Sequence, residues 1–183
     1  DQAKTAKTDM NPGNQMPEHA ARTLAALCPG ILLELDDAVR SGVPADQAFA
    51  RMARSHREWG GRDRRVLSGL AFSRFRWRGW LPPGPERLAE ACVCSGLLDG
   101  AEASPAVRCL AAQAGITEDR LRPFGPMPLK EKAERLAAWR GESGVPSPDA
   151  LAPAWVRDAL GLAGAAGDGL WQRCLEAFQA RPP

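Results

Sequence analysis

Arginine is the residue whose number and spacing in this chain could do chemistry. Nine arginines lie between positions 51 and 78, at 51, 54, 57, 62, 64, 65, 74, 76 and 78, opposed only by Glu58 and Asp63. That stretch therefore carries +7, while the whole 183-residue chain carries +2, so the remainder sums to −5. A cationic segment within an otherwise acidic chain points to a polyanionic partner. Arginine suits that role better than lysine, because its planar fork binds phosphate through two parallel bonds and stacks on bases. The competing reading is a solvated arginine face, and charge alone does not separate RNA from DNA.

The centre of the stretch is predicted to be one helix, Arg62 to Gly79. Val66, Leu67, Leu70 and Ala71 recur at helical spacing and form an apolar stripe. At 100° per residue, Arg62, Arg65 and Arg76 fall within about 60° of one another, off that stripe. They are the expected phosphate-contacting face, with Arg64, Arg74 and Arg78 as further contacts. Trp77, flanked by arginines, is the expected base-stacking residue. Arg74 projects near Leu67, which would place it on the stripe unless the helix has left the core by that turn.

No catalytic or metal-ligating set is predicted. The adjacent acids Asp36 and Asp37 read most simply as exposed. The glycines of 161–169 contain neither G-x-G-x-x-G nor G-K-[ST], and read as an interhelical loop. Cys28, Cys92, Cys94, Cys109 and Cys174 are odd in number and scattered, and His19 and His56 complete no metal spacing. Reduced, mostly buried thiols in a cytoplasmic protein are the expectation. No run approaches 18 apolar residues and the N-terminus lacks an apolar signal core, so neither a membrane span nor secretion is predicted.

The elements that must position the arginines are helical throughout. Alanine, leucine and arginine dominate, β-branched residues are few and tyrosine is absent, which favours an all-α chain. Residues 1–16 read as a polar disordered leader. Helices are expected from Pro17 to Cys28, resuming at Ile31 to Val39 after a break or kink at Pro29-Gly30, and from Pro44 to Arg57. Trp59-Gly60-Gly61 turns the chain into the arginine helix, which Pro82, Pro83 and Pro85 end. Further helices follow over Pro85–Leu98, over Pro105–Ala114 with Ser104 as N-cap, and over Leu129–Trp139. Gly141 to Pro153, with two glycines beside prolines 146, 148 and 153, is the expected domain boundary. It divides a bundle over 17–142 from a linker and two helices over 143–183. The tryptophans at 59, 77, 80, 139, 155 and 171 are expected mainly as core or interface anchors.

Two sets of residues carry a resemblance to a known family. Ala21-Arg22 in the first helix, Gly60-Gly61-Arg62-Asp63-Arg64, then Leu67-x-x-Leu70 and Arg74-x-Arg76-x-x-x-Trp80-Leu81, resemble the NusB-like RNA-binding domain. Leu151-Ala152-Pro153-Ala154-Trp155-Val156 is similar to the P-x-W-[LV] helix start of RsmB/Sun/Fmu-type ribosomal RNA cytosine-C5 methyltransferases. Leu175, Ala177, Arg181, Pro182 and Pro183 match the junction that in that family leads into the catalytic half. The resemblance covers about 17–183. It implies a NusB-like helical bundle that binds ribosomal RNA for a C-terminal methyltransferase domain. That domain would carry the S-adenosylmethionine loop and the two cysteine motifs, expected beyond Pro183, and none of the five cysteines here takes the catalytic role. No cofactor is expected in this chain itself. A protein-interaction module, pairing with a ribosomal protein or a second copy, and a stand-alone antitermination factor are the alternatives. The Trp155 helix and the Pro182-Pro183 junction speak against the latter.

Overall fold

The computed structural model describes residues 16–162 and 165–179 and is all-helical, with no strand among the described residues. Of the leader expected over 1–16, residues 1–15 lie outside them, as do the junction residues Arg181, Pro182 and Pro183, whereas Met16 is buried in the core. Helix α1 runs unbroken from Glu18 to Arg40, straight through Pro29. Of the break or kink expected at Pro29-Gly30, the break is absent. A mid-helix proline costs about 3 kcal/mol through its missing donor and its clash with the preceding turn. Here one continuous face, Leu24, Ala25, Cys28, Ile31, Leu32 and Leu35, is buried on both sides of it and offsets that cost.

Helix α2 (Ala45–Ser55) buries Ala48, Phe49, Met52 and Ala53, and α3 (Gly61–Trp77) buries Leu67, Leu70, Ala71, Ser73 and Trp77. A 3₁₀ turn over Arg78–Trp80 ends α3, and a second over Pro85–Arg87 leads into α4 (Leu88–Leu98). α4 is apolar on nearly every side, which in a helical bundle means a central position. Leu88, Ala91, Cys92, Val93, Cys94, Ser95, Leu97 and Leu98 are all buried, and α4 packs against α1, α3 and α5 (Pro105–Gln113). Ser104 caps α5 as expected: its Oγ accepts from the Val107 amide at 3.4 Å, with Pro105 first inside. Helix α6 (Leu129–Arg140) ends at Gly141, whose φ of 69° is the left-handed conformation that closes a helix at little cost to glycine.

The segment expected as a domain boundary behaves as a strap laid on the bundle. The Trp80 indole donates to the Ser147 carbonyl at 2.7 Å, and Arg140 donates to the Trp80 carbonyl at 3.1 Å. The 3₁₀ turn over Pro148–Leu151 presses so closely on Gly79 that a Cβ there would meet the Ala150 carbonyl oxygen at 1.7 Å. Beyond it come α7 (Ala154–Ala159) and α8 (Ala165–Gln179). Trp171 of α8 donates to Asp149 at 2.7 Å, and the Leu129 amide donates to Glu176 at 2.8 Å. Trp171 and Leu175 are buried in the same apolar core as α1–α6. Prolines and glycines read as a linker by composition, but two buried indole N–H groups need acceptors and find them in this stretch.

Candidate nucleic-acid interface

The α2–α3 connection is built around one aromatic stack. Trp59 is buried, His56 lies flat on its ring at 4.2 Å with an interplanar angle of 4°, and Phe49 stacks on it at 6.5 Å. Phe49 also meets Phe72 of α3 at 5.9 Å, locking the two helices together. His56 Nδ1 and Glu58 Oε1 are 2.6 Å apart, and that hydrogen bond holds the Glu58 carboxyl below its ordinary range. The Gly60 amide donates to Asp63 Oδ2 at 3.0 Å, satisfying an orphan donor at the start of α3.

This turn joins the C-terminal half of α2 to the N-terminal end of α3, and six arginines lie along the turn and those two segments: 51, 54, 57, 62, 64 and 65. All six are exposed, and none forms an ion pair among the described residues. Both nearby carboxylates are engaged locally, Glu58 with His56 and Asp63 with the Gly60 amide. Arg62, Arg64 and Arg65 further sit in the first turns of α3, where the helix dipole is positive and a cation loses about 0.3–1 kcal/mol. Six guanidinium groups thus lie unneutralised among the described residues, and a polyanion would relieve the three at the start of α3, where the dipole disfavours them.

The seven site residues expected from the sequence do not form one surface. Arg62, Arg64 and Arg65 are all exposed in the first turns of α3. Arg76 does not join them: its Nη1 bonds both oxygens of Asp99 at 2.7 and 2.8 Å. The Trp77 indole donates to the same carboxylate at 2.7 Å, and Trp77 is fully buried. Its ring is covered by the Lys132 ammonium at 5.0 Å and by Trp80 at 5.4 Å, so it has no face to offer a base. Burial in this setting lowers the affinity of Lys132 for its proton. Arg74 remains on the apolar stripe and bonds Asp36 at 2.9 and 2.7 Å, an ion pair that ties α3 to α1. Arg78 is half exposed, 4.0 Å from Asp36. Arg62 and Arg76 are moreover about 20 Å apart along α3 by helical rise.

Two acids were therefore misread or missed. Asp36, expected to be exposed, is buried, and Asp99 was not singled out. The available signal for Asp36 was its position four residues after Leu32 on the α1 stripe, opposite an arginine that also sat on a stripe. Arg51, Arg54 and Arg57 were not among the expected contacts; for Arg51 and Arg54 the signal was their place off the helical face of Ala48, Phe49, Met52 and Ala53. No family model, curated protein or solved structure matches the chain.

Proposed function

We propose that this chain is a NusB-like, RNA-binding helical module acting in the cytoplasm, with the α2–α3 arginine cluster as its phosphate-contacting surface. The observation that carries this reading is the set of six exposed arginines without carboxylate partners among the described residues, displayed by a turn built on Phe49, Trp59, His56 and Phe72. Their guanidinium forks suit phosphate oxygens, and phosphate contacts of this kind position a nucleic acid without reading its sequence.

The resemblance of Leu151–Val156 to a methyltransferase helix start supports ribosomal RNA as the ligand. It also supports a catalytic region, using S-adenosylmethionine, as the module's working partner. α8 has a surface for such a partner. Leu170, Cys174 and Phe178 recur every four residues beside the buried stripe of Trp171 and Leu175, and Leu170 and Phe178 are exposed. Trp155 on α7 is 67% exposed. The module would bind and present RNA, and the chemistry would belong to the partner. The test is fluorescence anisotropy with a labelled ribosomal RNA stem-loop, competed by unlabelled RNA and by duplex DNA of equal length. Saturable binding that RNA displaces better than DNA is expected. Absence of binding at low salt would leave the α7–α8 apolar surface, and so a protein-interaction module, as the better reading.

A further inference from the structure

At the far end of α3 from the arginine cluster lies a cleft of about 450 Å³, between α1 and the proline segment that follows Leu81. Its charged side is made by Arg40, Arg74 and Arg78 around Asp36. Asp36 binds Arg74 through both oxygens, while Arg40 pairs with Asp37 and donates through Nε to the Asp36 carbonyl at 3.3 Å. Two carboxylates thus answer three guanidinium groups. The charge left over sits at Arg78, whose side chain is 50% exposed and stands 4.0 Å from an acid already committed to Arg74. The remaining walls are aliphatic: Leu33, Leu81, Pro82, Pro83 and Leu88. Leu33 is 39% exposed there, although it belongs to a helix whose other apolar face is fully used.

We propose that this cleft docks a segment of a protein partner that carries a carboxylate within a residue or two of a large aliphatic or aromatic side chain. The apolar side chain would lie on Leu33, Leu81 and Pro82, and the carboxylate would take the free fork of Arg78. Desolvation by the apolar walls strengthens that charge-assisted bond. Prolines fix the wall in advance, so little ordering cost falls on binding. A nucleic acid fits this cleft poorly, because no aromatic ring lines it to stack on a base. Glu86, whose carboxylate lies against Gly84 at the proline end, would oppose the ligand's acid. This proposal is independent of the RNA reading.

The experiment pans a phage-displayed library of random dodecapeptides on the full chain, then titrates the recovered peptides, synthesised with a fluorophore, against variants. Recovered peptides are expected to pair Asp or Glu with Leu, Ile or Phe. Arg78→Ala and Leu33→Asp should each weaken them roughly tenfold or more, as for loss of a charged hydrogen bond or an apolar anchor. Glu86→Gln should tighten them. All three side chains are solvent-facing, so thermal melts should stay within a few degrees of wild type. Failure to enrich any acidic–apolar sequence, or peptides that bind Arg78→Ala and Leu33→Asp as tightly as wild type, would overturn the proposal. A one-unit flattening of the RNA salt dependence by Arg78→Ala would also overturn it, by assigning the cleft to phosphate.

Discussion

The Asp36–Arg74 pair decides whether the last turn of α3 is an RNA surface or a structural joint. Both side chains are about nine-tenths buried, at 10% and 11% exposure, and their two hydrogen bonds bridge α1 and α3. Removing one member of such a pair leaves an uncompensated buried charge, at a cost of about 3–5 kcal/mol. In a chain of this length each kcal/mol moves the melting temperature by about 2–4 °C, so Asp36→Ala should lower it by roughly 6–20 °C. Arg74→Ala should fall in the lower half of that range, because Arg78 already lies 4.0 Å from Asp36 and can move closer. The double variant Asp36→Leu/Arg74→Met replaces the pair by apolar groups of similar size. It should return to within a few degrees of wild type or exceed it, since desolvating both charges offsets much of their attraction. Urea melts of wild type, the two alanine variants and Asp36→Ala/Arg74→Ala, read as a double-mutant cycle, give the coupling. An Arg74→Ala protein that melts like wild type but binds RNA with a flatter salt dependence would refute the structural assignment and restore Arg74 to the RNA site.

The thiols make stability fall in alkali. The bond to Cys28, whose sulfur lies 3.9 Å away, and burial together hold the Cys92 thiol well above its ordinary value, and burial pushes Cys94 from 9.0 to about 12. Unfolded thiols ionise above about pH 9 while the folded ones keep their protons. Stability should therefore drop by about 1.4 kcal/mol per pH unit per thiol above that point, and Cys94→Ala should flatten the decline measured by denaturant melts. At neutral pH a thiol-reactive chromophore should label Cys109 and Cys174 quickly, and Cys28, Cys92 and Cys94 only on unfolding, as mass mapping would show. Gly79→Ala should cost about 1–3 kcal/mol by driving a methyl group into the Ala150 carbonyl, with faster proteolysis between 141 and 153 as its readout. Pro29→Ala should raise the melting temperature, because it restores a donor inside an otherwise continuous helix.

The positions of the elements were legible because apolar residues recur at helical spacing. The turn at Trp59-Gly60-Gly61, the Ser104 cap and the proline stop after Trp80 all stand where local chemistry put them. Pro29 misled because a local helix breaker was outweighed by a tertiary face that spans it. The strap over 141–153 misled because glycine and proline content reports chain stiffness and turns, not where indole donors such as Trp80 and Trp171 find acceptors. The site was legible only in part. Helical projection places Arg62, Arg65 and Arg76 on one side of a helix, but it is blind to Asp99 arriving from the end of α4 to take Arg76 and Trp77. Charge on an apolar stripe was the overlooked signal: Asp36 and Arg74 each violate the pattern of their own helix, and each violation is explained by the other.

The central claim is that the arginines at the α2–α3 end contact phosphate, whereas Arg74 and Arg76 at the other end of α3 hold the protein together. It is tested most directly by the salt dependence of RNA affinity in Arg62→Ala/Arg64→Ala/Arg65→Ala beside Arg76→Ala. If each of the three neutralises one phosphate, the slope of log K against log salt should flatten by about 2–3 units in the triple variant. Its melting temperature should be preserved or slightly raised, because alanine favours helix and the start of α3 loses misplaced positive charge. Arg76→Ala should melt lower and keep the wild-type slope. An unchanged slope in the triple variant, or a flattened slope in Arg76→Ala with its stability intact, would contradict the account.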